Sequence, residues 1–556
     1  MEKRELLIIV TLVVVIAVLG AGLGIALTAP APPAKLPKQL SIKLWWPIEH
    51  YGSTEPDIAA ILKDNIEATG RISVTLDSAD WATYVTQFSE GQMGMFLLGW
   101  YPDFFDADNY IQPFLSTAGA ESLGSYYSDP LMDMAILKER TSFGDERMQI
   151  FADIQTKLAE DALYIPLFQG NQHVVYQDDV TGVLLEPVRS FHYDQLAKPG
   201  ETTLIVGTTD RVVTLDPADA YDYFSVEIIE HIFETLLDYD PGTSNLVPKL
   251  AVEVPSVENG LVSADGLEYT YNIRSGVEFH DGAILDADAV KFSIDRARTM
   301  GGDPGFLLDI IDSVTSDGSM QVKIKLKNPF TAFNALMAFT VSAIVSPATY
   351  TDTDFRPGLD NVNLPIGTGP YKLLADDYVA EQRITLTKNT DYWGTAGVSD
   401  KVQVNLIGDA TALKTQIETG AIHVAFRTLN PDDLLDLEDR QTELGLVVEI
   451  GTSPFIRYIV FNVQTPPFDN VWVRKAIAAA VDRQTLVSQV FLDLAFPLYS
   501  MVADIFPEHT DAFKDVYGAG PDVDLANQFL NSYFDSIESG LGQTVFERIL
   551  PVREAS

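Results

Sequence analysis

The chain has 556 residues, with 79 Asp or Glu against 37 Lys or Arg and a formal net charge of -42. Such an acidic balance excludes a nucleic-acid binder, which needs clustered basic side chains, and the absence of cysteine excludes disulfides, thiolate chemistry and Cys-ligated metals. A hydrophobic content of 46% with 21% charged residues is that of a folded chain, long enough for two or three domains.

After MEKRE comes LLIIVTLVVVIAVLGAGLGIAL, residues 6–27, which is 22 positions without a charge. As a helix it spans roughly 33 Å, enough to cross a bilayer. The apolar core of a cleaved signal peptide is shorter, about 7–15 residues, so a retained anchor is expected, although ALTA before the prolines also reads as a cleavage site. Lys3 and Arg4 put the N-terminus in the cytoplasm and the rest of the chain outside. APAPPAKLPKQ, residues 29–39, is a Pro-rich stem.

From residue 41 short strands alternate with helices. LSIKLWWP reads as a strand, EPDIAAILKDNIEATG as an amphipathic helix ending at Gly70, ISVTLDSA as a strand, WATYVTQFSEG as a helix and MGMFLLGW as a buried strand. This rhythm predicts an α/β lobe with a sheet covered by helices. The loop that follows, FLLGWYPDFFDADNY (96–110), is dense in aromatics and aspartates. ERMQIFADIQTKLAED then predicts a helix, ALYIPLFQ a strand, and TTLIVGTT a fresh strand after DQLAKPGE. Residues 240–365 change texture, with alternating strands LEYTYNIR and MQVKIKLK around one helix, DADAVKFSIDRARTM, capped by Asp286. The strand-helix rhythm returns in VQVNLIG, DATALKTQIETG and IRYIVFNV, and closes on NVWVRKAIAAAVDRQTLVSQVF, read as one helix.

Chemical motifs are few. Aspartates at alternating positions in DFFDADN invite a calcium or manganese reading, but the glycine and terminal glutamate of a calcium loop are missing. Asp106 and Asp108 read instead as turn or helix caps. His280 and Asp281 of FHDG suggest acid-base work, yet no nucleophile motif accompanies them. The seven histidines are scattered and no P-loop is present, so no cofactor is expected and any ATP hydrolysis belongs to separate subunits.

Several stretches together resemble the peptide/nickel-type solute-binding proteins of ABC importers, family 5. They are TLDPADAYDYFSVEIIEHIFETLLDYD (214–240), LVPKLAVEVPSVENGLVSADGLEYTYNIRSGVEFHDGAILDADAVKFSIDRA (246–297), IGTGPYKL (366–373), NTDYW (389–393), FNVQTPPFDNVWVRKAIAAAVDR (461–483) and DWATYVTQFSEGQMGMFLLGWYPDFFDADNY (80–110). The order differs from the family's: the segment resembling its late part stands before the TLDPA block that opens its members. Each marker occurs once, which implies a circular permutation, tolerated where termini lie together at a surface.

The resemblance implies a two-lobed α/β periplasmic-binding-protein-like fold of the large peptide-binding class. With the permutation, the expected division is anchor and stem 1–40, first part of lobe II 41–167, lobe I 168–462 with an extra subdomain at about 240–365, and second part of lobe II 463–556. It implies a non-enzymatic, monomeric binder that captures a peptide, or alternatively an oligosaccharide, in an interlobe cleft and passes it to ABC permease subunits. A sensor ectodomain of the same fold is the alternative from another class. By the same resemblance Asp103 matches the aspartate that takes a peptide's ammonium, and Trp100 and Trp81 match tryptophans lining the ligand space. Tyr101 stands beside that site, and Thr208, Thr209 and Tyr223 follow the opening strand of the other lobe.

Overall fold

Alternating burial sets the first strand: Ile42 and Leu44 of β1 (Leu40–Pro47) point into the core while Ser41 and Lys43 face water. The computed structural model describes residues 39–48, 50–51, 54–186, 188 and 191–539. The apolar run 6–27 and the last dozen residues lie outside these. Among the described residues, no helix is long and apolar enough to cross a membrane.

Helix α1 (Glu55–Glu67) buries Ile58, Ala59, Leu62 and Ile66, spaced for one face, and Gly70 beyond it takes a φ of +67°. β2 (Ile72–Ala79) pairs parallel with β1 along its whole length. Asp80 caps α2 (Trp81–Ser89) by accepting from the Thr83 amide at 3.1 Å, and β3 (Met95–Trp100) follows. After α3 (Gly144–Asp161), β4 (Tyr164–Gln177) runs for 14 residues, well past the Gln169 at which the sequence reading stopped.

The middle of the chain adds β5 (Thr203–Thr208), α4 (Tyr223–Ile232), and a hairpin of β6 (Leu237–Tyr239) with β7 (Leu246–Pro248). A three-stranded antiparallel sheet of β8 (Glu268–Asn272), β9 (Ile311–Ser316) and β10 (Gln321–Leu326) packs on α5 (Ala287–Thr299). Asp286 caps α5 as expected, accepting from the Ala289 amide at 2.8 Å. β11 (Tyr371–Lys372), β12 (Tyr378–Val379), β13 (Arg383–Lys388), β14 (Lys401–Leu406) and β15 (Val424–Phe426) lead to β16 (Leu446–Phe461). With β17 (Ala495–Pro497), these build one 12-stranded sheet of order β11-β13-β14-β5-β15-β4-β16-β3-β1-β2, with β12 beside β13 and β17 beside β4.

The last apolar run is two helices, not one: α6 (Val471–Ala480) and α7 (Arg483–Val490). Val481 is extended, and Asp482 breaks the run because its side chain caps α7, accepting from the Thr485 amide at 3.0 Å, while its own amide donates to Asn65 Oδ1 at 2.9 Å. α8 (Val523–Glu538) packs along α6.

Two lobes result. One apolar core draws on residues 42–168 together with 456–534, so this terminal lobe is built from both ends of the described chain. The cores of the central lobe run from Val174 to Leu446, and one of them lies under the three-stranded sheet. Antiparallel β4 and β16 pass between the lobes, and their register slips between Thr452 and Ile456, at the crossing. The glycines of IGTGPYKL have a packing cause. A Cβ on Gly367 would sit 2.2 Å from the Ile232 carbonyl oxygen, and one on Gly369 would sit 2.6 Å from that of His231. Gly367→Ala is therefore expected to cost about 3 kcal/mol in a denaturation measurement, because backbone and not a movable side chain must give way.

Candidate functional site

The aromatic-acidic loop leaves β3 pinned by one side chain. Asn109 Oδ1 accepts from Trp100 Nε1 at 3.0 Å and from the Asp103 amide at 2.9 Å, while Asn109 Nδ2 donates to Asp103 Oδ2 at 3.1 Å. The Asp103 carboxylate is thus held in place by the residue that orients Trp100. Asp106 caps the turn Ala107–Tyr110, as the sequence suggested, and also pairs with Arg147. Asp108 pairs with Arg140 at 3.1 Å. Burial and the neighbouring Asp108 push the Glu139 carboxyl up, against the Arg147 guanidinium 3.2 Å away.

The loop reaches into the other lobe. Phe104 is 5% exposed and belongs to the core beneath the three-stranded sheet, edge-on to Phe330. Arg140 lies over the Phe330 ring at 4.2 Å, and its carbonyl accepts from the Thr331 amide at 2.9 Å. The Phe105 amide donates to the Tyr239 hydroxyl at 3.3 Å. Between the lobes lies a cavity of about 90 Å³. Tyr101 and Asp103 line it from the terminal lobe, with His192, Glu230, Glu234, Lys249 and Thr340 among the residues facing them from the central lobe.

The other expected residues are not part of this cavity's wall. Tyr223 meets Tyr101 edge to face at 4.8 Å, under Arg427 at 3.9 Å. Thr208 is buried and donates to Asp210 Oδ2 at 3.2 Å, while the Thr209 amide donates to Thr428 Oγ1 at 3.3 Å. Trp81 stacks on His50 with ring centroids 3.5 Å apart, and Trp100 sits edge-on to Phe114 at 5.1 Å. His280 and Asp281 serve the fold: the His280 ring contacts the Gly369 carbonyl at 3.0 Å, and Asp281 accepts from Ser346 and Thr349, each at 2.7 Å.

The central-lobe wall went unread in the sequence: Glu230 stands in the last turn of α4, and Glu234 follows the extended Phe233 beyond it. Glu234 accepts from Tyr392 at 2.6 Å, Thr368 at 2.7 Å and Trp393 at 2.9 Å, which gives NTDYW its role. Burial raises the Glu234 carboxyl against those donors and Lys249. Lys249 pairs with Asp238 at 3.0 Å. Burial alone would lower His192, but Asp194 and Glu186 raise it to about 10. A histidine whose folded value lies above its unfolded one stabilises the fold fully below about pH 6.5 and loses that contribution as pH rises through about 10. His192→Gln should flatten the stability profile across this window and lower stability at pH 6 by on the order of 3 kcal/mol, read from denaturation at a series of pH values.

Two α/β lobes joined by paired strands thus meet around a small polar cavity. The chain belongs to the bacterial extracellular solute-binding proteins, family 5, whose middle-region sequence model matches residues 35–122 and 245–533. Glutathione-binding protein GsiB of Salmonella paratyphi A is 32% identical over 312 residues, covering 54% of this chain and 56% of that protein. GsiB of Escherichia coli K12 is 30% identical over 308 residues, with the same coverages of 54% and 56%. The chain therefore spans about half the length of the curated relatives it matches. NikZ from Campylobacter jejuni, solved in complex with Ni(L-His), aligns at 21% identity and a TM-score of 0.47, covering 60% of this chain and 63% of that one.

Proposed function

We propose that the protein is the extracellular substrate-binding component of an ABC importer, capturing an oligopeptide between its lobes and delivering it to permease subunits served by separate ATPases. The observation that carries this reading is the placement of Asp103, in a member of this family, on the wall of a cavity shared by both lobes. A carboxylate held there neutralises a peptide's free ammonium, a cation that is costly to enclose without a partner. Tyr101 covers the neighbouring side chain. Trp81 and Trp100, the rings on which a sugar would stack, pack against His50 and Phe114, which favours a peptide over an oligosaccharide.

Two further features belong to the same reading. The chain is a circular permutant, with lobe II formed by 41–167 and 463–556 around a continuous lobe I of 168–462 that carries the subdomain at about 240–365. Support comes from the order of the family-like stretches in the sequence, with 80–110 ahead of 214–240, and the division into lobes fits a core that joins residues 42–168 to 456–534. The uncharged run 6–27 anchors it, as a monomer, to the outer face of the cell membrane. Thermal-shift measurements on the full chain against di- to pentapeptides and oligosaccharides test the ligand class. Stabilisation by peptides is expected, and stabilisation by sugars alone would overturn it.

A further inference from the structure

Among the described residues, sixteen large apolar side chains are well exposed, and five of them fall between residues 131 and 148. Scattered exposed apolar residues need no cause, whereas a contiguous group marks a surface that is covered in use. The helix Pro130–Glu139 shows that this group is not an edge of the core. Met132, Ile136 and Glu139 form its buried face, against the terminal lobe. Leu131, Met134 and Leu137 lie on the opposite face and are 58%, 57% and 52% exposed. A helix that is apolar on both faces needs cover on both, and the described residues cover only one.

The face extends past the helix. Phe143, in the turn that follows, is 74% exposed, and Met148 stands near the start of α3. Lys138 and Glu146 pair at 2.9 Å and hold the two helices side by side, which brings their outer faces together. The inner end of this surface meets the seam between the lobes. Arg140, the residue that ends the helix, lies over Phe330 of the central lobe at 4.2 Å, and its carbonyl accepts from the Thr331 amide at 2.9 Å. A partner seated on Leu137 is thus within one helical turn of the contact between lobes.

Resting on the importer reading above, we propose that this face docks the terminal lobe on the permease. Three occupants of an apolar face compete, and charge separates them. A second copy brings another net charge of -42 against the first, and an anionic lipid surface is repelled in the same way. A permease loop or helix with apolar side chains and basic flanks is attracted instead, because Asp145 and Glu146 border Phe143 and Lys138 is already engaged by Glu146. Place agrees with charge. The stem 29–39 reaches at most roughly 40 Å, so the terminal lobe, anchored as read above, stays beside the outer ends of the permease's membrane spans.

Photo-crosslinking in the native membrane tests this on the full chain. Phe143→p-benzoylphenylalanine should give an adduct that mass spectrometry identifies as a permease subunit, a polytopic membrane protein that works with a separate ATPase. Adding Leu131→Ser and Met134→Ser should cut the yield of that adduct at least about tenfold and leave the peptide-induced thermal shift unchanged. An adduct with a second copy of this chain, with lipid alone, or no adduct at all overturns the docking face and leaves the peptide-import reading standing. A permease adduct that the serine variants leave at full yield overturns it as well. An adduct with a membrane receptor that has no ATPase partner overturns the importer reading, and the permease as occupant with it.

Discussion

Asp216→Ala is expected to cost about 3–5 kcal/mol of stability, the usual result of leaving a buried charge without its partner. Asp216 and Arg296 are both essentially inaccessible and form a bidentate pair, with Nη1 to Oδ1 at 2.8 Å and Nη2 to Oδ2 at 2.6 Å. The carboxylate also accepts from the Ala218 amide at 3.0 Å and the Arg356 amide at 2.6 Å. Arg296 donates in addition to the Thr351 and Asp354 carbonyls. TLDPA and SIDRA, 80 residues apart, are thus two halves of one clamp. Calorimetry should show the melting transition that includes the central lobe falling by on the order of 10 °C. Replacing both partners by apolar residues should recover only part of this, because the two backbone amides remain buried and orphaned. A loss below about 1 kcal/mol for Asp216→Ala would show that the clamp contributes little.

Asp103→Asn should weaken dipeptide binding about 100-fold, since truncating one member of an enclosed charge pair costs about 2–5 kcal/mol. The isosteric amide keeps an acceptor for Asn109 Nδ2, which sits 3.1 Å from Oδ2, so loop geometry is preserved and only the charge is removed. N-acetylating the dipeptide should cost the protein a similar factor, and should cost Asp103→Asn almost nothing further. This double-mutant logic assigns the coupling to the ammonium and not to loop damage. Independent, additive losses would mean that Asp103 and the ammonium do not meet.

The sequence showed the elements of the terminal lobe well because each buries one face. β1, β2 and α2 lie where alternation and helical spacing put them. β4 and β16 were read at half length because one end of each belongs to one lobe and the other end to its partner. Burial, and with it the pattern, changes at the crossing. The single long helix failed at Val481–Asp482, where apolar residues continue on both sides and only a side-chain cap marks the break. Asp103 and Tyr101, which line the cavity, stand in the aromatic-acidic stretch that drew attention through its family resemblance. Glu230, Lys249 and Thr340 were not legible, because they stand more than 120 residues away in sequence and become a wall only when the two lobes meet.

Phe104 carries a consequence for the energetics of opening. Its ring is a plug from one lobe seated in the core of the other, so separating the lobes returns that ring and its socket to water. At about 2 kcal/mol for a buried phenylalanine, the plug alone biases an empty molecule roughly thirtyfold toward the shut form. A solute then adds to a pre-existing preference instead of creating it. Any machinery that accepts the shut form must tell full from empty by something other than shape.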